Sequence, residues 1–421
     1  MISSKKIYMS AKWFTLLSFP VIAVLALLSG SASAGEPIKV GLLSPPLDDA
    51  REGINPYRWG AEMAVAEINA QEGKRGLQFL LILWGGKFAR EKDIRELREL
   101  MIGERIHYLL GKVHQGSIIP VAQAAQEQKI PFLVLPVDFL EVTSIGRQPA
   151  NLFWISPSPE AFQRAAVRTA AQFPQKRFFL LARDSAAGKS WAKYFWETLK
   201  RLKPDAYSAG EIFLPEEGED YEAPVRAVLS SEAEACVSHL GGQGWIHFVR
   251  AAQRQRYFKK ITHFELESSR AEVLMALKRD APEGVWGINT FPFWFLEGKE
   301  TQDFVTKYRS KTGLYPGLDA LSGYASIYAL LAGMKKGGSV DSEKVMEALG
   351  GLSFPTPVGA LTLRKMDHRA LWPIWCGISR HVSNYPFPIL KELKAFGPDS
   401  FLSPALQEEI SLENSPKEKA R

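Results

Sequence analysis

Two short patterns in this chain of 421 residues carry residue types that do chemistry, and each breaks at a named position. Gly188-Lys189-Ser190 follows an apolar run and precedes a helical one, as a phosphate loop would. The Gly-x-x-x-x-Gly-Lys-Ser spacing needs glycine at 183, and Arg183 stands there, so the backbone amides cannot cradle a phosphate in that way. Gly242-Gln243-Gly244 lacks the third glycine of a dinucleotide loop, with His247 in its place, and predicts a tight turn. The seven histidines form no His-Glu-x-x-His or other dense ligand cluster, so no structural zinc is expected. No Gly-x-Ser-x-Gly elbow occurs. The acidic pairs Asp48-Asp49 and Glu216-Glu217 lie in polar stretches and read as solvated loops. Without a nucleophile–base signature, an enzyme is not expected, and neither is a cofactor.

The amino-terminal residues speak instead of compartment. Lys5, Lys6 and Lys12 precede an apolar run from Trp13 to about Leu28, and Ser31-Ala32-Ser33-Ala34 follows. That order predicts a secretory leader over 1–34, cut before Gly35 and delivering the rest to the periplasm. The run is shorter than the roughly 20 residues of a spanning helix. No Cys follows it, so no lipid anchor is expected. The net charge is +6, with three of its lysines in the leader and no concentrated basic stripe beyond it, which argues against nucleic acid. Apolar residues make up 46% of the chain, enough for a large core. Cys236 and Cys376 could pair in an oxidising compartment or remain buried thiols.

Any chemistry must be positioned by alternating elements. Ile38 to Leu43, Gln78 to Leu83, His107 to Leu110 and Pro131 to Leu135 read as strands. Helices are predicted between them over Tyr57 to Gln71, Glu91 to Ile102 and Ser117 to Gln128, each with apolar residues at i, i+3, i+4 spacing. A second series has strands at Arg177 to Ala182, Ala235 to Leu240 and Lys259 to Phe264, with helices at Lys189 to Leu202, Glu222 to Ser231 and Trp245 to Gln255. Late helices are predicted over 300–312, 318–336 and 341–349, then strands at 359–363 and 372–378. The composition turns polar beyond Lys391, and Ser403 to Arg421 is expected to be a mobile tail. Such βα alternation predicts parallel sheets with right-handed crossovers. Ligands bind such sheets beyond the carboxyl ends of the strands. The loops there include 112–116, 137–144, 156–160, 183–188, 241–244 and 265–270, which makes Ser156, Asp184 and Gly242 candidate ligand residues. Trp154, Trp245 and Trp294 near strand ends could stack on a ligand or pack the core, and the run Phe291-Pro292-Phe293-Trp294-Phe295 reads as a hinge cover or a ligand wall.

The stretch Ile38 to Leu43 followed by Trp59-Gly60-Ala61-Glu62-Met63-Ala64-Val65-Ala66-Glu67-Ile68-Asn69 resembles the opening of the type I periplasmic binding proteins, in their branched-chain amino acid (Leu/Ile/Val-binding) branch. Gly111 with its polar loop, Ile130-Pro131 before a strand ending in Pro136, Asp184 to Gly188, the helix pair around Gly323-Tyr324, Phe354 to Leu363 and Arg364 to His368 follow in the order of that family. The resemblance covers roughly 38–385 and implies an α/β fold of two Rossmann-like lobes with parallel sheets, joined by three hinge crossovers near 153–158, 281–290 and 353–360. The lobes would be 35–155 with 288–354 and 156–287 with 355–390, leaving 391–421 as tail. It implies the solute-binding component of an ABC importer, a monomer that passes a small molecule to a permease in the inner membrane; a sensor subunit on the same fold is the alternative. In that family's amino acid binders, hydroxyl residues on the first lobe hold the ligand carboxylate and an acid on the second holds the ammonium. The matching positions here are Gln115, Asp138 and Phe139, with Glu265 or Glu267 as the acid, and Ala187 replaces the usual aromatic. An ionised Asp138 would repel a carboxylate, so a neutral or cationic ligand, or one with an aromatic or alkyl body, is expected rather than an ordinary α-amino acid; capping of the next helix is the structural role open to Asp138.

Overall fold

The computed structural model describes residues 36–44, 55–73, 76–141, 148–215 and 220–397. The leader, Asp48-Asp49, Glu216-Glu217 and the segment from Ser403 onward lie outside the described residues. The first lobe opens with β1 (Ile38–Ser44), α1 (Pro56–Glu72), β2 (Phe79–Gly85), α2 (Glu91–Glu104), β3 (Tyr108–Val113), α3 (Gln115–Glu127), β4 (Phe132–Pro136) and β5 (Leu152–Trp154). The strands form one parallel sheet in the order β2-β1-β3-β4-β5. Their near-continuous apolar runs suit a sheet covered on both faces.

The chain then enters the second lobe through α4 (Pro159–Ala170), β6 (Arg177–Arg183), α5 (Ala186–Leu202), β7 (Tyr207–Leu214), α6 (Glu222–Ser230), β8 (Ala235–His239), α7 (Gly241–Arg254), β9 (Thr262–Glu265), α8 (Ala271–Leu277) and β10 (Trp286–Asn289). It returns to the first lobe as α9 (Lys299–Thr312), α10 (Leu318–Gly337) and α11 (Ser342–Leu349). A small antiparallel sheet follows, β11 (Ser353–Thr356), β12 (Gly359–Leu363) and β13 (Ala370–Leu371). The last described strands, β14 (Ile374–Arg380) and β15 (Ile389–Phe396), belong to the second lobe, whose sheet runs β15-β14-β10-β9-β8-β6-β7.

Local chemistry accounts for the helix starts. Asn55 caps α1 by accepting from the Arg58 amide at 3.0 Å, and Pro56 fills the first helical position. Ser158 and Ser185 cap α4 and α5 in the same way. Helices α1 and α10 cross at backbone contact. A Cβ on Gly60 would lie 1.8 Å from the Ala320 carbonyl oxygen, and one on Gly323 would lie 1.9 Å from that of Tyr57. Only glycine permits this approach, which returns α10 to the first lobe although some 250 residues separate it from α1.

Two boundaries move. The third crossover was expected near 353–360, but Phe354, Leu361, Leu363 and Ala370 pack in the first-lobe core with Leu42, Leu133 and Leu330. The chain therefore crosses at Trp372-Pro373, where the Trp372 indole donates to the Ile155 carbonyl of the first crossover at 3.1 Å. Residues 391–396, expected in the tail, pair with β14 as part of β15: their polar side chains belong to an edge strand with one open face. Cys236 and Cys376 lie on β8 and β14, with two strands between them, as free buried thiols that burial pushes up to about 12.

Candidate functional site

Helices α3, α5 and α7 begin at Gln115, Ala186 and Gly241, each a few residues before the position that periodicity predicts. Their first turns carry glycine and polar residues rather than the apolar stripe, so the pattern starts late. The consequence is functional. Three helix amino termini, with amide groups that lack intrahelical partners, stand at the strand ends between the lobes. Half-buried Gln115 is the first residue of α3, on the first lobe. Gly242 lies in the first turn of α7 rather than in a tight turn, and a Cβ there would meet only Val273 at 3.4 Å.

The demanding glycine is its neighbour. Gly241 has φ +71°, and a Cβ on it would fall 1.9 Å from Nη2 of Arg183. Arg183, the last residue of β6, thus lies across bare backbone, with Nε donating to the Leu240 carbonyl at 3.3 Å. Its Nη1 reaches Oδ2 of Asp138 on the other lobe at 3.6 Å. Asp138 caps no α-helix: a single tight turn over Phe139–Glu141 follows it, and its side chain is 45% exposed. The negative charge that would repel a carboxylate therefore sits beside a guanidinium. Sequence reasoning missed Arg183 because it counted only as the residue that spoils a phosphate loop.

A second cross-lobe contact lies deeper. Arg270, before α8, pairs with Glu267 at 2.6 Å and Glu272, and reaches Asp319 at the start of α10 at 3.8 Å. Asp319 also binds Lys112 of its own lobe. Burial alone would raise the carboxyls of Glu267 and Asp319; the charges of Arg270, joined by His239 at Glu267 and by Lys112 at Asp319, outweigh it and hold both below the ordinary carboxylate range. Gly317 sits here for space, since a Cβ would come 2.8 Å from that of Ala271.

Glu265 does not face the cleft. It accepts from the Ser238 hydroxyl and, at 3.3 Å each, from the amides of Leu240 and Glu267, which ties the two loops after β8 and β9 together. Behind it the Tyr257 hydroxyl meets Nδ1 of His263 at 2.9 Å, and Nε2 of His263 meets the Ser238 oxygen at 2.7 Å. The whole chain is buried. Burial pushes the Glu265 carboxyl up to about 8 against the hydrogen bonds that favour its anion, and drives the His263 imidazole down to about 3.

The other expected residues divide. Asp184 is half exposed and pairs with Lys189 at 2.7 Å on the rim. Phe139 leaves the first lobe and packs edge-to-face on Phe162 at 5.0 Å, inside the core of the second. Ser156, in the first crossover, is 1% exposed, and its hydroxyl has no hydrogen-bond partner among the described residues. Trp154 and Trp245 are core residues, the first beneath the Arg369 guanidinium and the second stacked on His263. The Trp294 indole donates to Leu390 and Phe291 and Phe293 are buried in the first-lobe core, and all three also line the cavity at the hinge end of the cleft. At the hinge end of the cleft, Phe139, Phe162, Glu267, Arg270, Thr290 and Leu318 line a cavity of about 40 Å³. That is room for a few waters, so a solute needs the lobes to part.

Two α/β lobes joined by three crossings, with strand ends and helix amino termini facing across a cleft, define a two-lobed solute-binding protein. The chain belongs to the periplasmic binding protein family, whose model matches residues 37–377. It is 22% identical to a leucine-, isoleucine-, valine-, threonine- and alanine-binding protein of Pseudomonas aeruginosa over 82% of this chain and 90% of that one. It is 24% identical to a Leu/Ile/Val-binding protein homologue of Brucella melitensis over 81% and 87%. Among solved structures, a Rhodopseudomonas palustris ABC transporter solute-binding protein in complex with 4-hydroxybenzoate matches with TM-score 0.70 and 18% identity, covering 86% of this chain and 97% of that one. A branched-chain amino acid transporter substrate-binding protein of Streptococcus pneumoniae, in complex with isoleucine, matches with TM-score 0.70 and 16% identity over 86% and 100%. These relatives are binding proteins rather than enzymes. Among the described residues no helix is long and apolar enough to cross a membrane, and no His, Cys, Asp or Glu cluster could hold a metal.

Proposed function

We propose that this protein captures a small organic solute in the interlobe cleft by hinge closure and delivers it to an ABC permease in the inner membrane. It works in the periplasm as a monomer after loss of the leader over 1–34. The observation that carries this reading is the meeting of both sets of strand ends at one cleft, joined only by the three crossings, a geometry made for opening and closing about a hinge. The solute is not an ordinary α-amino acid. The acid that would hold an ammonium, Glu265, spends its oxygens on Ser238 and two backbone amides, and Glu267 is committed to Arg270. Relatives of this fold are in complex with isoleucine or with 4-hydroxybenzoate, so the fold itself admits more than one solute class.

Thermal-shift screening against amino acids, amides, aromatic acids and amines is the test, because a solute that binds only the folded state raises the melting temperature. A stabilising solute that also compacts the protein in small-angle scattering is expected. Strong stabilisation by leucine or isoleucine would overturn the solute assignment. Turnover of the bound compound would overturn the transport reading.

A further inference from the structure

We propose that the hinge end of the cleft takes an uncharged ring of the solute. The ring replaces the Phe139 side chain against Phe162, and Thr290 binds a neutral polar group beside it. This rests on the cleft being the solute site.

Phe139 is a first-lobe residue lodged in the second lobe. It follows β4 in a tight turn, is 3% exposed, and packs edge-to-face on Phe162 at 5.0 Å. Its cluster includes Ala165 of α4 and Trp191 of α5. Beside it lies the cavity of about 40 Å³, which by itself is too small for a solute. Without the Phe139 ring, the space is that ring's own volume and the cavity's, enough for a ring with one small substituent. Hinge opening withdraws Phe139 with the first lobe and bares Phe162 and Ile288 to water, which costs apolar burial. A solute ring that enters before closure restores that burial. Phe139 is tethered to the site, so it competes at high local concentration and lowers the solute's apparent affinity.

The charges beside the cavity are already committed. Arg270 pairs with Glu267 at 2.6 Å and with Glu272, and all three line the cavity wall. A charged group on the solute would have to divide this largely buried network, which is costly. The neighbouring neutral groups are engaged as well: Ser269 donates to the Ile288 carbonyl, and Asn289 donates to Ser269 and accepts from the Phe291 amide. Thr290 differs. It lines the same cavity, is 5% exposed, and its hydroxyl makes no hydrogen bond to the described residues. A hydroxyl both donates and accepts, so an amide, ketone or alcohol on the solute ring suits it.

The test is calorimetry on the full-length mature protein with two neutral ring probes, benzamide and cyclohexanecarboxamide. Acetamide lacks the ring, and benzoate and benzylamine carry a charge. Both ring amides are expected to bind at least ~tenfold more tightly than acetamide and than either charged form. F162A should weaken the ring amides by about tenfold, whereas F139A should tighten them by about tenfold. T290V should weaken them by about threefold. Two rings that merely pack a core would shift affinity alike, or not at all, when truncated. F139V, a smaller truncation, should tighten binding in the same direction and serves if F139A fails to fold. Acetamide, benzoate or benzylamine binding as well as benzamide would overturn the proposal. So would F139A and F162A moving affinity in the same direction, or no probe binding to parent and F139A alike. A ringless solute from the wider screen that compacts the protein would overturn it and leave the transport reading standing. Failure of that whole screen would overturn both.

Discussion

Arg270–Asp319 and Arg183–Asp138 both tie the second lobe to the first, yet they are built for different purposes. Around Arg270 the side chains are buried, every charge has an opposite neighbour, and Gly317 lets the two backbones close on one another. Around Asp138 the carboxylate is half in water and the approach is long. A buried network is costly to disturb, because removing one member strands the others away from water. A solvated pair is worth little and exchanges easily. The deep contact is thus one member of a largely buried network, and the shallow one a long approach at a half-exposed carboxylate.

The largest way to break this contrast is Asp319→Ala. It leaves Lys112 and Arg270 without their shared carboxylate, and a loss of about 3–5 kcal/mol in denaturant unfolding is expected. pH separates the regions by sign. Folded Glu265 keeps its proton to about 8, whereas its ordinary value is 4.5. Between those values the folded state binds more protons than the unfolded one, so this group's contribution falls as pH rises across that window, by about a few kcal/mol. The carboxyls of Glu267 and Asp319 are held low, so theirs is lost as pH falls through the acidic range. Glu265→Gln should remove the fall in melting temperature between about pH 4.5 and pH 8 and leave the limb below that window unchanged. Gly241→Ala tests how firmly the rim is built: strain at φ +71° and displacement of the guanidinium should cost about 1–3 kcal/mol in denaturant unfolding. Asp138→Ala should be the mildest, within about 1 kcal/mol of the parent in stability. If it destabilised as much as Asp319→Ala, the two contacts would not differ in kind.

Much of the fold was legible along the chain. Apolar runs and helical spacing marked β1 to β4, β6, β8 and the three late helices, because each buries a continuous face. The edge strand β7, Tyr207–Leu214, escaped because it mixes Ser208, Gly210 and Glu211 with apolar residues and is mostly open to solvent. Helix α4, Pro159–Ala170, escaped as well, although Ser158 and Pro159 form a proper start. Of the candidate residues, Asp138 and Gln115 stand at the cleft, Asp184 on its rim, and Glu265 and Phe139 turn inward. A strand-end position tells which end of the sheet a residue occupies, but not whether a neighbouring loop supplies amides that draw its side chain away.

The sequence by itself determined the alternation of strands and helices, the family, and the absence of the familiar nucleotide, zinc and hydrolase motifs, all of which depend on local pattern and spacing. Tertiary structure alone decided which charges meet. Arg183 and Asp138 are 45 positions apart on different lobes, and Arg270 and Asp319 are 49 apart. Missing side chains leave the room for each pair to meet, at Gly241 for the Arg183 guanidinium and at Gly317 for Ala271 beside Arg270, and the second pair is the more deeply buried.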